Sequence, residues 1–318
     1  MNDFLNNDIN YAPIVIFAYK RATSLFSLLN SLELNKDIIN SIIHIFIDGP
    51  KNEKDFRAVE KTTEVANEYK KNSKAKSVYI HSSDVNKGLV SSIRDGVQQV
   101  FENSDRIIVL EDDLIISNDF ISFMNKQLTK YQMDNSIFSI GGWFPPVCND
   151  IEYVSIYKSN RFECWGWGTW KEQWNSIDWN YLLAQHVSIK FLLSSRSIGG
   201  DFPLMYYLWK KGHNQSWAIP VATYMFLQNK YCIVPTKSLV INTGFNNMGT
   251  NCSSIDLKQS GPISYSDVIH ANELDLVSIK KMKHKLKSYY SFTKLIISKL
   301  RAITAYSTKN YSENDKIV

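Results

Sequence analysis

The sequence predicts an α/β fold: a mostly parallel sheet flanked by helices, followed by an aromatic-rich second half and a basic helical tail. Three observations predict it. Short β-branched runs alternate with longer helical patterns through the first half, the pattern of parallel strands joined by crossover helices. Charged residues stand directly after the apolar runs, at the edge where an open α/β sheet binds its ligands. A 318-residue chain with 44% hydrophobic residues can also bury the large core such a fold needs.

Taken in order, strands are expected at 13–19 (PIVIFAY), 42–47 (IIHIFI), 77–81 and 106–110 (RIIVL). Helices are expected between them at 23–34, 53–71 and 88–102, followed by one at 117–133. Ser117 would cap the last of these, ahead of Phe120, Phe123 and Leu128. A short strand at 136–140 runs into Gly141-Gly142, and after Trp143 the texture changes to loops, aromatics and shorter helices. The block RFECWGWGTW and the stretch to Trp179 hold five Trp and two Gly. These changes divide the chain into a first half at 1–145, a second half at 146–275 and a basic tail at 276–318.

The formal charge of +5 is unevenly spread. From Leu276 onward stand ten Lys or Arg and two acids, a net +8 that leaves the preceding residues at −3. With Leu286, Tyr289, Ile296, Leu300 and Ile303 near helical spacing, residues 280–303 read as a basic amphipathic helix for an anionic membrane surface. The opposing reading packs the apolar stripe on the domain and leaves a solvated charged face. An acidic main body without a recognition motif disfavours nucleic acid. The N-terminal residues show neither a basic n-region nor an apolar h-region, and no run approaches the roughly 20 apolar residues of a membrane span. Cys148, Cys164, Cys232 and Cys252 lack metal or CxxC spacing and read as free thiols. The expected location is cytoplasmic, peripheral on the inner face of the membrane.

The most specific local signal is Glu111-Asp112-Asp113, three acids directly after an apolar strand. Adjacent carboxylates repel one another, and a divalent cation, Mn2+ or Mg2+, relieves this with the hard oxygen ligands it prefers; the opposing reading is a solvated acidic turn. Arg21 follows the first strand and Asp48 the second, where each can contact a base, ribose or diphosphate. Alone, Arg21 reads equally as a helix start and Asp48 as a turn residue.

The ordered series PIVIFAYKR, IFIDGP and IIVLEDDLIISNDFISF resembles the GT-A glycosyltransferases, in particular the N-acetylglucosaminyltransferase I family and bacterial family 2-like sugar transferases. The resemblance covers about residues 12–145, continues more weakly to about 250, and implies a GT-A (Rossmann-like) fold with a nucleotide-sugar-binding half at 1–145, an acceptor-binding half at 146–275 and a UDP-sugar donor. It further implies that Asp113 ligates the metal, that Asp112 meets the ribose and Glu111 the donor sugar, and that Arg21 and Asp48 contact uracil. Asn86-Lys87-Gly88 with Ser91, Arg94 and Gly96 resembles a family 2 element near the donor, which adds Lys87 and Arg94. Gly88 reads equally as a turn glycine and Arg94 as a surface residue.

Inverting transfer needs a carboxylate to deprotonate the acceptor hydroxyl. By resemblance the base comes from the second half, where Asp201 is the first candidate and Glu163 the second. Asp201 fits an N-cap equally well. Trp165, Trp167 and Trp170 would stack on sugar or build the core, and His213 and His270 would complete a metal site or lie at the surface. The acceptor would be a glycan or lipid-linked saccharide in bacterial surface polysaccharide synthesis. Two other readings compete. A sugar-nucleotide pyrophosphorylase would need a glycine-rich loop that FAYKR lacks, and a carbohydrate-binding or membrane scaffold protein would leave Glu111-Asp112-Asp113 without a purpose.

Overall fold

In the computed structural model, which describes residues 11–147, 155–244, 274 and 276–291, the apolar run after Pro13 forms β1 (Ile14–Ala18), buried along its whole length. A strand covered on both faces carries an unbroken hydrophobic run, as this one does. It pairs in parallel with β2 (Ile42–Ile47) on one side and β4 (Arg106–Glu111) on the other, and β3 (Ser77–Ser82) extends the sheet beyond β2. Parallel neighbours need long crossovers, supplied here by α1 (Ala22–Glu33), α2 (Phe56–Asn72) and α3 (Leu89–Phe101).

Beyond β4 the chain forms β5 (Leu114–Ile116), α4 (Phe120–Lys130), β6 (Ile137–Gly141), β7 (Ile156–Ser159) and β8 (Trp167–Trp170). Five short helices follow: α5 (Lys171–Asn175), α6 (Trp179–Ala184), α7 (Ile189–Ser194), α8 (Phe202–Lys210) and α9 (Ala218–Leu227). The described chain then gives β9 (Tyr231–Pro235), β10 (Val240–Asn242) and α10 (Leu276–Tyr289). The eight-stranded sheet runs β3-β2-β1-β4-β8-β6-β9-β7, while β10 and β5 pair as a separate ribbon. The sheet is mostly parallel, with antiparallel pairing where β8 meets β4 and β6 and where β7 meets β9. The architecture is therefore the α/β class that the sequence predicts.

Three local expectations change. The Trp-rich block is not all loop, because Trp167–Trp170 is an internal strand inserted between β4 and β6. Gly168 permits the insertion: a Cβ there would lie 2.8 Å from the Ile107 carbonyl oxygen. Helix α4 begins later than expected, at Phe120, and Ser117 does not cap it. The Ser117 hydroxyl is buried and has no hydrogen-bond partner among the described residues, while its carbonyl receives the Phe120 N–H. Finally, the apolar side of α10 faces the domain. Met282 is buried, and Leu286 and Tyr289 pack on the core, while Lys280, Lys281, Lys283 and Lys287 stay exposed. This part of the tail follows the packed reading; residues 292–303, with Ile296, Leu300 and Ile303, lie outside the described residues. Among the described residues no helix is long and apolar enough to cross a membrane.

One core lies under α1, α2 and α4 and contains Leu25, Ile45, Leu110 and Phe123. The other joins α3 to the aromatic second half through Phe17, Val97, Trp167, Tyr206 and Trp217. Strands from both sequence halves thus share one sheet.

Candidate active site

The sheet order places β2 on one side of β1 and β4 on the other, so the chain reverses its direction of winding between β1 and β4. At such a switch point the loops after the two strands part and leave a crevice at their carboxyl ends. Arg21 follows β1 and Glu111-Asp112-Asp113 ends β4, so both reach this place. The Arg21 guanidinium grips Asp112 through two nitrogens and donates to Asp113 Oδ2 at 2.9 Å. Burial works against its charge, yet the two carboxylates hold its pKa above the usual arginine value.

The three acids meet different surroundings. Asp112 is buried, and loss of solvent outweighs Arg21 to push its carboxyl up to about 6. Burial, with repulsion from Asp113 and Asp112, pushes Glu111 up to about 8. Its carboxyl accepts a hydrogen bond from Trp217 Nε1 at 3.4 Å. Asp113 Oδ1 is buried and has no hydrogen-bond partner among the described residues, although buried acceptors are nearly always satisfied.

The antiparallel β5–β10 pair returns the chain to this carboxylate. Thr243 donates its N–H and its hydroxyl to the Asp113 carbonyl, each at 2.8 Å. A side chain at position 244 would strike the Asp113 carboxylate, so Gly244 is required by this close approach. Thr243 and Gly244 were not legible as site residues, because only strand pairing across 130 positions brings them here.

These groups fit a divalent cation at Asp113. Its unsatisfied oxygen is a hard ligand, and Mg2+ or Mn2+ is commonly held by one or two carboxylates with phosphate oxygens completing the shell. Glu111 and Asp112 are turned to Trp217 and Arg21, and among the described residues no three His, Cys, Asp or Glu side chains converge as a metal cluster. His213 is exposed in the α8–α9 connection, and His270 lies outside the described residues.

Asp48 serves the neighbouring loop. Oδ1 accepts the N–H groups of Gly49 (3.0 Å) and Lys87 (2.8 Å), and Oδ2 accepts Asn86 Nδ2 (3.0 Å) and the Gly88 N–H (2.9 Å). The carboxylate therefore ties the loop before α3 to the end of β2, and contact with a base would require one of these bonds to open. The Lys87 side chain is exposed, while Arg94 stacks on Trp179 with its guanidinium carbon 4.7 Å from the ring centre.

The two candidate bases meet in a second cluster. Asp201 accepts both terminal nitrogens of Arg161, at 2.9 and 3.0 Å, and makes no side-chain cap bond to α8. Tyr290 covers Arg161, with the guanidinium carbon 3.9 Å from its ring centre, and donates its hydroxyl to Glu163 at 3.1 Å. Burial pushes Glu163 up to about 8. Sequence spacing gave no sign of Arg161 and Tyr290, which arrive from different parts of the chain. Phe162, adjacent to Glu163, packs edge-on against Trp217, whose indole N–H reaches Glu111, so one aromatic step links the two clusters. Trp167 and Trp170 are buried in the core, and partly exposed Trp165 packs against Trp143.

No family model and no curated protein matches the sequence. Among solved structures, the chain is similar over 70% of its length to mannosyltransferase PcManGT from Pyrobaculum calidifontis in complex with GDP-Man and Mn2+, at 8% identity and a TM-score of 0.41, covering 70% of that chain. It is similar over 73% of its length to S. aureus TarS 1-349, at 10% identity and a TM-score of 0.42, covering 60% of that chain. A further S. aureus TarS structure matches over 40% of the present chain and 24% of its own, at 12% identity and a TM-score of 0.30. Scores at this level assign neither a family nor an activity.

Proposed function

We propose that this protein is a metal-dependent GT-A glycosyltransferase that moves a hexosyl or N-acetylhexosaminyl group from a UDP-sugar to a glycan or lipid-linked saccharide. The observation that carries the reading is the buried Oδ1 of Asp113, unpartnered among the described residues, beside Arg21 at the switch point of the sheet. A bound Mn2+ or Mg2+ supplies Lewis-acid neutralisation of the departing diphosphate. Asp113 holds it, and Arg21 shares its positive charge between the acids and the diphosphate oxygens. The ribose contact assigned to Asp112 would require it to turn from Arg21, and the donor-sugar contact assigned to Glu111 would require it to turn from Trp217. Asp48 keeps the loop carrying Lys87 against the donor end of the crevice.

The acceptor hydroxyl needs a base from the second half. Asp201 has both oxygens engaged by Arg161, whereas Glu163 is held only through Oε1 by the Tyr290 hydroxyl among the described side chains, and burial, which raises its affinity for a proton, makes its ionised form the stronger base. We therefore assign Glu163 as base and Asp201 as the group that holds Arg161 and Tyr290 around it, reversing the order suggested by sequence. With a single base acting on the acceptor hydroxyl, the reaction proposed is an inverting single displacement. The basic tail accords with a lipid-linked acceptor on an anionic surface.

Melting curves with UDP, with Mn2+ and with both test the donor reading. A cation and a diphosphate that contact each other when bound raise each other's affinity, so together they stabilise by more than the sum of each alone. Synergy in the wild type, lost in Asp113→Asn, is the expected outcome; additive or absent stabilisation in the wild type would overturn the assignment.

A further inference from the structure

The helices α6 to α8 turn large apolar side chains out of the domain. Leu183, Ile189 and Leu193 are 58%, 78% and 60% exposed. Ile189 and Leu193 stand four apart on α7 and so share one face of that helix. The opposite face is anchored: Phe191 lies 4.4 Å, centre to centre, from Tyr206 and 5.7 Å from Phe226. The Lys210 ammonium donates to the Leu183 carbonyl at 2.6 Å, which fixes the end of α6 beside the end of α8. The outward aliphatics are therefore held on a rigid support.

The charge of these helices is mainly positive. From Asp178 to His213 the cations are Lys190, Arg196, Lys210 and Lys211, against Asp178, exposed at the start of α6, and Asp201, which is buried in its pair with Arg161. Lys190, Arg196 and Lys211 are exposed. Exposed bulky aliphatics on helices with an excess of exposed cations match a bilayer of anionic lipid, into which apolar chains insert while cations meet headgroups. A nucleic acid backbone would use the cations and leave the aliphatics in water.

We infer that the α6–α8 face is the surface by which this protein docks on anionic membranes, with Ile189, Leu193 and Leu183 entering the headgroup boundary. The tail does not supply these apolar contacts within α10, where Met282 and Leu286 point inward. The inference rests on the acceptor reading for its purpose, but the vesicle assay needs no turnover, so the two can fail separately.

The test is co-sedimentation of the full chain with phosphatidylglycerol–phosphatidylcholine vesicles, phosphatidylcholine vesicles and a fluorescent oligonucleotide. Ile189→Asp/Leu193→Asp and Lys190→Glu/Lys211→Glu are compared with the wild type, and melting curves verify folding. These positions are exposed, so both variants should melt like the wild type. Binding to anionic vesicles only, weakened about tenfold or more in each variant, is expected. Undiminished vesicle binding by Ile189→Asp/Leu193→Asp would overturn the inference. Failure of the wild type to bind vesicles would overturn it too, as would oligonucleotide binding that needs the cations alone. Concentration-dependent dimerisation lost in Ile189→Asp/Leu193→Asp, with no vesicle binding, would assign the face to a second copy instead.

Discussion

Glu163 is a carboxyl kept in an apolar setting beside a tyrosine hydroxyl, and this has two measurable effects. Replacing it by Gln keeps the shape and the Tyr290 contact but removes proton acceptance, so transfer should fall by about 10²–10⁴ while UDP and metal still bind. Near-normal turnover would return the role to Asp201. The second effect is on stability. Its folded pKa is about 8, raised from 4.5, so the folded state keeps a proton that the unfolded chain releases in this interval. Its contribution is full below the unfolded value and is lost as pH rises through about 8. Glu111 acts in the same direction, so Glu163→Gln should make the decline in melting temperature shallower between pH 5 and about 8 without abolishing it. An unchanged slope would mean that Glu163 is charged when folded. The acids at the end of β4 were legible because three carboxylates after an apolar run are costly in any fold. Arg21 was legible as a ligand group but not as their counter-ion, since its two partners lie 91 and 92 positions away.

At the level of elements, the loop before α3 depends on a backbone conformation as much as on Asp48. Gly88 has φ near +75° with ψ near 157°, a conformation that essentially only glycine adopts, and a Cβ there would meet nothing within 4 Å. Gly88→Ala should therefore cost about 1–3 kcal/mol through backbone strain alone, read as a lower melting temperature with unchanged spectra. A much larger loss would mean that the loop cannot re-form around Asp48. The strands and helices of the first half were readable because each has its own period and its own charged terminus. Trp167–Trp170 was not, since a Trp-Gly-Trp-Gly run has the composition of a loop. Only the gap between β4 and β6 makes it a strand, where Thr169 donates its hydroxyl to the Phe138 carbonyl. The inward face of α10 was equally hidden, because its spacing suits a membrane and a domain surface alike and the partner core decides.

For the whole molecule, the boundary at residue 145 marks a change of texture that the sheet does not respect. Strand β4 pairs with β1 on one edge and with β8 on the other, and β8 lies beyond that boundary. The second cluster is closed later still, when Tyr290 delivers its carbonyl to the Asp201 N–H at 3.0 Å and its hydroxyl to Glu163. A nascent chain therefore emerges with β4 complete and one side of it unpaired until residues 167–170 have been made. Open strand edges recruit other strands. A fragment of residues 1–145 should accordingly self-associate, seen as early elution in size-exclusion chromatography, whereas a fragment of residues 1–244 should have that edge covered. A monomeric 1–145 fragment would show that the edge is protected by other means. During synthesis the hazard lasts only as long as the ribosome takes to travel from the acids of the first cluster to the tryptophans of β8, and a pause in that interval would expose the protein to aggregation more than a pause anywhere later in the sheet.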